Sequence, residues 1–468
     1  MKKLLSLFMI AILCAGILPG CKKTNKHISE MADGKILLTV GNWPDPIKTP
    51  ESYAYYMQMK ADFEILNPDI HIEPDTWCYD VESFIPKAEG KKLPILYNTF
   101  MTEANKIIDA GYAADITDAM KKYGYFGMMD ENMKDAICRD GSMYLIPISV
   151  YTMGLAVNLN LMRQAGLVNP DGSPKAPETF DELREMAKII KEKTGKAGFV
   201  FPTTQNGGGW NFTNLAWSFG GTFMEKTEDG WIATYGSDEV AEALKFLMDM
   251  MWEDNTLPVN TLIRNDDTSR MVATGEAAMY LAHPEQLNTM VNMYKMDVND
   301  VGFVKIPAGP KRRVALLGGG YNVISSWATS EQIEAAFRWL DFCGDVPIFE
   351  LADEKRVRME EKYTFTRDTS TGIIGIIDQP IWDVNESTRK YKLELIQKYK
   401  NIDEKNIASY NDKSGVEYQA EEPIKAQSLY SLLDACIQEV LTNEYADPKE
   451  ILIQSATEFQ KNYLDGVN

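Results

Sequence analysis

The stretch KILLTVGNWPDP, residues 35–46, is the most informative sequence for the fold. Its apolar and β-branched residues 36–40 are typical of a buried strand, and the turn-rich GNWPDP segment ends that strand. A helical pattern of apolar residues follows and stops at Asn67-Pro68, and residues 70–73 form the next predicted strand. Strand, helix and strand in direct succession predict an α/β fold with a largely parallel sheet.

The same alternation continues along the chain, whose 468 residues far exceed one typical domain. Further strands are predicted at residues 93–97, 141–157 (two stretches around Pro147), 279–282, 301–306 and 322–324. Further helices are predicted near residues 104–110, 180–193, 238–252, 268–280, 331–342 and 428–463. No tandem repeat or low-complexity block interrupts the pattern, so we expect two domains or one large bilobed unit.

The composition excludes several classes of protein. Lys and Arg number 48 against 68 Asp and Glu, and the net charge of −20 disfavours nucleic-acid binding, which needs clustered basic residues. The chain contains no CxxC pair, no HExxH motif and no P-loop, and its three His are too few for a His-rich metal site. We therefore expect no metal centre, no cofactor and no ATP hydrolysis by this chain.

The N-terminus has the pattern of a secretory signal. Lys2 and Lys3 precede an apolar run, and Leu18-Pro19-Gly20 stands directly before Cys21. This arrangement resembles the lipobox of bacterial lipoproteins, which implies a signal peptide at residues 1–20 and a lipid on Cys21. Residues 21–34 are polar and would form a flexible tether. The alternatives are an ordinary signal peptide or a membrane anchor, although a spanning helix needs about 20 apolar residues.

Three smaller features have structural explanations. Residues 169–173 alternate oxygen-bearing side chains as calcium loops do, but an Asx-type turn explains them better. Asp266-Asp267 resembles a catalytic carboxylate pair, but its place before a helix favours an N-cap. Four further cysteines are far apart in sequence, and we expect most of them to be buried free thiols; an extracellular location would also permit disulfides. They are Cys78, Cys138, Cys343 and Cys436.

Five segments in a fixed order resemble the extracellular solute-binding proteins of ABC importers, in the carbohydrate-associated family 1. They are the strand that ends near Trp43 with the helix closing on FEILNPDI (63–70); DGSMYLIP (140–147); VNLNLMRQAGL (157–167) with PETFDEL (177–183); GEAAM (275–279); and VGF (301–303) with GGG (318–320). The resemblance covers nearly the whole mature chain. It is weaker at residues 93–96 and 156–158, where the family often has Pro-Asp and Tyr-Tyr-Asn, and over residues 350–411.

The resemblance implies a two-lobed periplasmic-binding-protein-like fold with a hinge and a ligand cleft between the lobes. The first lobe would comprise residues 35–148 and 283–345, and the second residues 149–282 and 346–468. The chain would cross between lobes near residues 147–151, 281–284 and 343–347. The lobes would close on a carbohydrate, most simply an oligosaccharide, and the membrane permease would recognise the closed state.

By the same resemblance the protein is a monomeric, lipid-anchored receptor on the extracellular face of the cell membrane, with ABC permease subunits as partners. It would not be an enzyme. Two alternatives use the same residues: a surface carbohydrate-active enzyme, which needs two carboxylates at a defined separation, or a lipoprotein that senses or adheres without transport.

A sugar site needs aromatic rings for the C–H faces and polar groups for the hydroxyls. In open α/β sheets such residues follow strand ends. Trp210 stands in a glycine-rich segment, residues 207–211, which we expect to be a flexible loop. The alternative for Trp43 is a surface residue that covers the lobe, and the alternative for Tyr151 is a core residue. The candidate ligand-binding residues are Trp43, Asp45, Asn98, Thr99, Tyr151, Trp210, His283, Gly320, Tyr321, Trp382 and Asp383.

Overall fold

A computed structural model describes residues 34–128, 134, 137–344, 346, 351–377 and 386–467. Its strands are β1 (Ile36–Val40), β2 (Ile70–Pro74), β3 (Leu96–Phe100), β4 (Cys138–Arg139), β5 (Ser142–Met143), β6 (Leu145–Thr152), β7 (Gly154–Asn158), β8 (Met224–Thr227), β9 (Gly230–Ala233), β10 (Met279–Ala282), β11 (Val301–Val304), β12 (Val314–Ile324) and β13 (Glu417–Ala420). The predicted signal peptide (residues 1–20), Cys21 and the predicted tether as far as residue 33 lie outside the described residues.

The α-helices outnumber the strands, which agrees with the predicted α/β class. They are α1 (Pro50–Leu66), α2 (Phe84–Glu89), α3 (Ala104–Asp109), α4 (Thr117–Lys122), α5 (Leu159–Gln164), α6 (Phe180–Thr194), α7 (Gly207–Phe219), α8 (Asp238–Trp252), α9 (Asn265–Ala273), α10 (Pro284–Asn292), α11 (Ser330–Cys343), α12 (Asp353–Thr369), α13 (Glu386–Tyr399), α14 (Ala408–Asn411), α15 (Ala426–Thr442) and α16 (Pro448–Phe459). Within the described ranges, no helix has both the length and the apolarity that a membrane span requires.

The first sheet has the order β13-β12-β3-β1-β2, and β6 also pairs with β12. β1 is parallel to β2 and β3, whereas β12 is antiparallel to β3 and β6. The predicted strand–helix–strand unit at the start of the chain is therefore confirmed as β1-α1-β2. The strand predicted at residues 93–97 begins three residues later, at Leu96.

The second sheet consists of β7 between β10 and β11, and both pairs are antiparallel. All five residues of β7 are buried. One face packs Leu155 and Val157 against a large core that includes Trp217, and the other packs Ala156 against a core that includes Tyr280. Burial on both faces explains why the strand reads as a continuous apolar run.

The core of the first sheet defines one lobe, and the two cores on either face of the second sheet define the other. Strands β6 and β12 run from the first lobe to the large core of the second. On β6, Ile146 belongs to the core of the first sheet, and the chain enters the second core at Met153. On β12, Leu316 packs in the second core and Val323 in the first. The first lobe is therefore built on the first sheet and the second lobe on the second, with these two paired strands as the connection.

The predicted crossing at residues 281–284 is wrong. α10 packs Leu287 and Met290 into the same core as Tyr280, and β11 then joins β7 in the second sheet. The chain thus remains in the second lobe until β12, and the predicted boundary at residue 283 moves into β12. The His283-Pro284 pair marks a helix start instead, because proline at the first helical position has a preorganised φ. Residues 345 and 347–350, around the predicted third crossing, lie outside the described residues.

The two glycine-rich segments also differ from their predicted form. Residues 318–320 do not precede a strand but lie inside β12, where Gly318 is opposite Tyr151 of β6. A Cβ on Gly318 would lie 2.6 Å from the Tyr151 ring, so only glycine lets the two strands pair there. Residues 207–209 are not a flexible loop but the buried first turn of α7.

No disulfide joins any of the four described cysteines. Cys436 is buried, Cys78 is exposed and the other two are half-buried, so the expectation that most would be buried is wrong. Burial raises the pKa of the Cys436 thiol to about 11. The loop at residues 169–173 is an Asx-type turn, since the Asp171 Oδ1 atom accepts a hydrogen bond from the Ser173 amide at 3.0 Å.

Candidate functional site

Three aromatic side chains from three segments meet beside the strands that connect the lobes. Tyr151 on β6 stacks on His283, with ring centroids 4.4 Å apart and planes 20° from parallel. Trp210 in the first turn of α7 meets the same imidazole edge to face at 5.9 Å. All three are partly exposed. The structure thus brings together three residues that the sequence had singled out separately, and it gives them faces that a flat apolar surface of a ligand can contact.

The electrostatics keep this aromatic group uncharged. Burial lowers the pKa of His283 to about 3, so the imidazole is neutral at physiological pH. Its Nδ1 atom is buried and has no hydrogen-bond partner in the described part of the chain. Burial also raises the pKa of the Tyr151 hydroxyl well above its usual value. A neutral ring and a neutral hydroxyl suit an uncharged, hydroxyl-rich ligand.

One acidic residue beside this group was not predicted. Glu421, in the turn between β13 and α15, is partly exposed, and its Oε1 atom accepts a hydrogen bond from the Tyr430 hydroxyl at 3.2 Å. Burial raises the pKa of its carboxyl to about 7, against the opposing hydrogen bonds from Tyr430 and Trp210. In sequence Glu421 is one of 68 acidic residues and belongs to no motif, so no local signal could have identified it.

Four further candidates lie side by side on β3 and β12 at the first-lobe end of the connection. In the strand register Asn98 faces Asn322, and Thr99 faces Tyr321. Thr99 and Tyr321 are only 3% and 2% exposed, so they lie beneath the protein surface. Asn98 and Gly320 are partly exposed. Burial, together with the nearby charge of Glu421, raises the pKa of Tyr321 to about 12.

Trp43 does not present its ring to the cleft. Its side chain is 2% exposed, stacks on Trp339 at 5.9 Å and meets Tyr56 edge to face at 5.5 Å. The prediction that Trp43 contacts ligand is therefore wrong, because the Pro-constrained turn after β1 directs the indole into the first core. The alternative, a surface tryptophan that covers the lobe, is also not what is observed, because the side chain is buried.

Asp45 is engaged by its own turn. Its Oδ1 atom accepts hydrogen bonds from the backbone amides of Ile47 at 2.8 Å and Lys48 at 2.9 Å. These bonds lower the pKa of the carboxyl, with the Lys48 amide as the largest cause. Asp45 therefore stabilises the turn that leads into α1, which is an Asx-type role.

The glycines before Trp210 serve helix packing rather than backbone approach to a ligand. A Cβ on Gly209 would lie 2.3 Å from the backbone oxygen of Tyr430, so α7 and α15 touch backbone to backbone. The buried Asp434 carboxylate of α15 accepts the amides of Asn206 at 2.6 Å and Gly209 at 2.7 Å, and it occupies the positive end of α7. This packing fixes the position from which Trp210 reaches His283.

Contacts between the lobes flank the site on two sides. On one side, the amide of Gln427 donates to the Thr102 hydroxyl at 2.9 Å. On the other, Asn292 donates to the Ser52 hydroxyl at 3.2 Å, and Lys295 lies 3.4 Å from the Glu51 carboxylate. The two lobes therefore touch in this structure. Trp382 and Asp383, the last two predicted residues, lie outside the described residues.

Comparison with known proteins identifies relatives over most of the chain. The family described as "Bacterial extracellular solute-binding protein" matches residues 47–345. The melibiose/raffinose/stachyose-binding protein MelE of Bacillus subtilis (strain 168) is 29% identical over 196 residues, which are 42% of this chain and 41% of MelE. The match therefore spans less than half the length of this curated relative.

Solved structures share the fold at low sequence identity. An ABC transporter solute-binding protein from Thermotoga lettingae TMO, bound with α-D-tagatose, has a TM-score of 0.68 at 18% identity, with 91% of this chain and 99% of that chain covered. The maltose-bound MalE3 of T. maritima has a TM-score of 0.67 at 18% identity, with 91% and 99% covered. At this identity the similarity establishes the two-lobed fold, and the ligand must be inferred from the chemistry of the site.

Proposed function

Because the chain belongs to the bacterial extracellular solute-binding protein family, we propose that it captures an oligosaccharide in the cleft between its lobes and delivers it to the permease of an ABC transporter. The matching family is described as bacterial extracellular solute-binding proteins, and the structural relatives bind solutes, which supports a binding role rather than a catalytic one. The ligand, its delivery and the lipid anchor are the parts of the proposal that experiment must test.

The aromatic group of Tyr151, His283 and Trp210 is the observation that carries the proposal. Sugar rings pack their C–H faces on such side chains and hydrogen-bond at their edges. The group lies beside the two connecting strands, so residues of the first lobe, such as Asn98, can contact the same ligand. A ligand held by both lobes favours the closed arrangement, because closing adds contacts that the open arrangement lacks.

The names of the relatives support a carbohydrate ligand. MelE is named for binding melibiose, raffinose and stachyose, and two of the structural relatives hold tagatose and maltose. The length of saccharide follows from the site only in part. Three rings of the second lobe and the partly exposed Asn98 of β3 offer more contacts than a monosaccharide needs, and this favours an oligosaccharide.

A thermal-shift screen of the purified chain against mono- and oligosaccharides, amino acids and polyamines tests the proposal. A ligand at about 100 times its dissociation constant stabilises the native state by about 2.7 kcal/mol. We expect a rise in Tm of several degrees with at least one oligosaccharide, which is recovered chemically unchanged. A degraded saccharide would instead indicate a carbohydrate-active enzyme, and no shift with any saccharide would favour a sensing or adhesion lipoprotein.

Trp210→Ala supplies the matched variant for this screen. We expect it to lose most of the saccharide-induced shift, because the ring that abuts His283 is removed. Trp231→Ala is the control, since Trp231 lies on β9, away from the aromatic group. An equal shift in wild type and Trp210→Ala would contradict the placement of the site.

The lipid anchor at Cys21 is proposed from the sequence motif. A tethered receptor remains near its permease, which raises the effective concentration of the two partners. In cells we expect the wild-type chain to partition with membranes and Cys21→Ala to appear in the soluble extracellular fraction. Cys78→Ala removes an exposed thiol elsewhere and serves as the control. Membrane retention of Cys21→Ala would contradict lipid attachment at this residue.

A further inference from the structure

Glu421 has an unusual set of neighbours for a carboxyl group in a protein cleft. The Tyr430 hydroxyl donates a hydrogen bond to its Oε1 atom at 3.2 Å, and the nearby Trp210 indole also lowers its pKa. Both are uncharged, and no lysine or arginine is among the groups that shift its pKa. Among the described residues, the other charged group acting on it is Glu103, which Lys106 neutralises at 2.9 Å.

This carboxyl group has acceptor capacity to spare. An ionised carboxylate has about four lone-pair positions, and the Tyr430 hydroxyl fills only one of them. The residue is partly exposed. Trp210 connects it to the aromatic group, because the indole lies near enough to lower the pKa of Glu421 while its ring meets His283. A saccharide packed on these rings would bring its equatorial donors to the carboxylate.

We propose that Glu421 is a specificity-determining residue of the cleft, whose carboxylate accepts a hydrogen bond from a hydroxyl or amine on the saccharide ring that packs against His283 and Trp210. This inference rests on the proposed function, since it assumes that a saccharide occupies the cleft. It adds a requirement on the ligand, namely a donor at the edge of the ring that lies on the aromatic group.

The environment of Glu421 makes this interaction dependent on pH. The remaining groups that face it are the hydroxyls of Tyr151, on β6, and Tyr321, on β12, and both are neutral near pH 7. Burial raises the pKa of its chain neighbour Glu422 to about 7 as well. Burial among these neutral groups raises the pKa of the Glu421 carboxyl to about 7. A ligand donor stabilises the ionised form, so binding below about pH 7 must release a proton, and affinity must rise with pH.

The test uses the full chain and the saccharide that gives the largest thermal shift in the screen. For wild type we expect the dissociation constant at pH 8 to be at least about tenfold lower than at pH 5.5, because most of the carboxyl is protonated at the lower pH. Glu421→Gln should bind more weakly at pH 8 and lose this pH dependence. Glu422→Gln removes an adjacent carboxyl of similar pKa and should keep it.

A pH profile separates direct contact from a merely structural effect. If Glu421→Gln retains the wild-type pH dependence, or if Glu422→Gln loses it, the inference is overturned while saccharide binding stands. If no saccharide binds, the proposed function fails first. Binding of a glucosamine trimer, compared with binding of its N-acetylated form, identifies the donor. If wild type prefers the amine form and Glu421→Gln loses this preference, the donor is an ammonium group. If wild type shows no such preference, the donor is a hydroxyl.

Discussion

At the scale of single residues, charge is excluded from the aromatic group by burial. The His283 imidazole would be half protonated near pH 6.5 in water, but burial lowers its pKa to about 3. Its stacking partner Tyr151 is held in place from below by Gly318, whose missing Cβ leaves room for the ring. The position of one ligand-binding ring thus depends on the smallest side chain of the opposite strand.

Gly318→Ala tests this dependence. The added methyl group would lie 2.6 Å from the Tyr151 ring, so either the ring or the strand must shift. We expect a loss of about 1–3 kcal/mol in the free energy of unfolding, as is typical of overpacking, together with weaker saccharide binding. Urea unfolding and the thermal-shift screen measure the two effects.

Gly127→Ala is the matched control for this substitution. Among the residues that the structure describes, no heavy atom lies within 4 Å of a Cβ built on Gly127, so the variant should unfold as the wild type does. Equal stability and equal saccharide binding in Gly318→Ala and Gly127→Ala would show that the Tyr151 ring is not held by this contact.

At the scale of elements, the site depends on the turn between β13 and α15. This short segment carries Glu421 and Glu422, and it touches the first lobe where Asn105 donates to the Pro423 carbonyl oxygen at 3.3 Å. Both residues are partly exposed, and partial burial raises the pKa of each carboxyl to about 7. The turn therefore holds two acids that favour their protonated forms in the folded state.

Glu422→Gln tests the effect of this turn on stability. A carboxyl whose folded-state pKa lies above its unfolded value contributes stability below about pH 4.5, and this contribution is lost as pH rises through about 7. The free energy of unfolding of the wild type should therefore fall between pH 5 and pH 8 by more than that of Glu422→Gln. Urea midpoints at the two pH values measure the difference.

Glu225→Gln is the control, because Glu225 is an exposed residue of β8 outside the turn. It should show the same change between pH 5 and pH 8 as the wild type. A Glu422→Gln variant that also behaves as wild type would mean that the Glu422 carboxyl is hydrated in the folded protein.

At the scale of the whole molecule, polar contacts between α10 and α1 lie between the two lobes. The contact of Lys295 with Glu51 joins the end of α10 to the start of α1, and Asn292 and Ser52 meet beside it. These groups are exposed or partly exposed, so each contact is weak and screened by salt. Because these contacts are weak, the contacts that a bound ligand makes with both lobes can determine whether the lobes remain together.

Lys295→Glu should shift the molecule toward separated lobes, because it sets a second carboxylate opposite Glu51. Small-angle X-ray scattering should then give a larger radius of gyration without ligand, and a saccharide from the screen should bind more weakly. Lys193→Glu is the control, since Lys193 pairs with Glu192 on its own helix. Unchanged scattering in Lys295→Glu would mean that this ion pair does not contribute to closure.

The sequence alone located the first strands and helices and showed which family the chain resembles. Apolar periodicity and turn residues are local, so β1, α1 and β2 could be located without knowledge of the fold. It also selected Tyr151, Trp210 and His283, because aromatic residues near strand ends and turns are the chemistry that a sugar site requires.

Only the tertiary structure decided which side chains face the cleft. Trp43 enters the first core and Gly209 packs on Tyr430, more than 200 residues away in the chain, and neither outcome has a local signature. Glu421 is distinguished from the other acids only by Tyr430 and Trp210 around it. Burial and long-range contact depend on how elements pack, and a residue's own neighbours in sequence do not specify them.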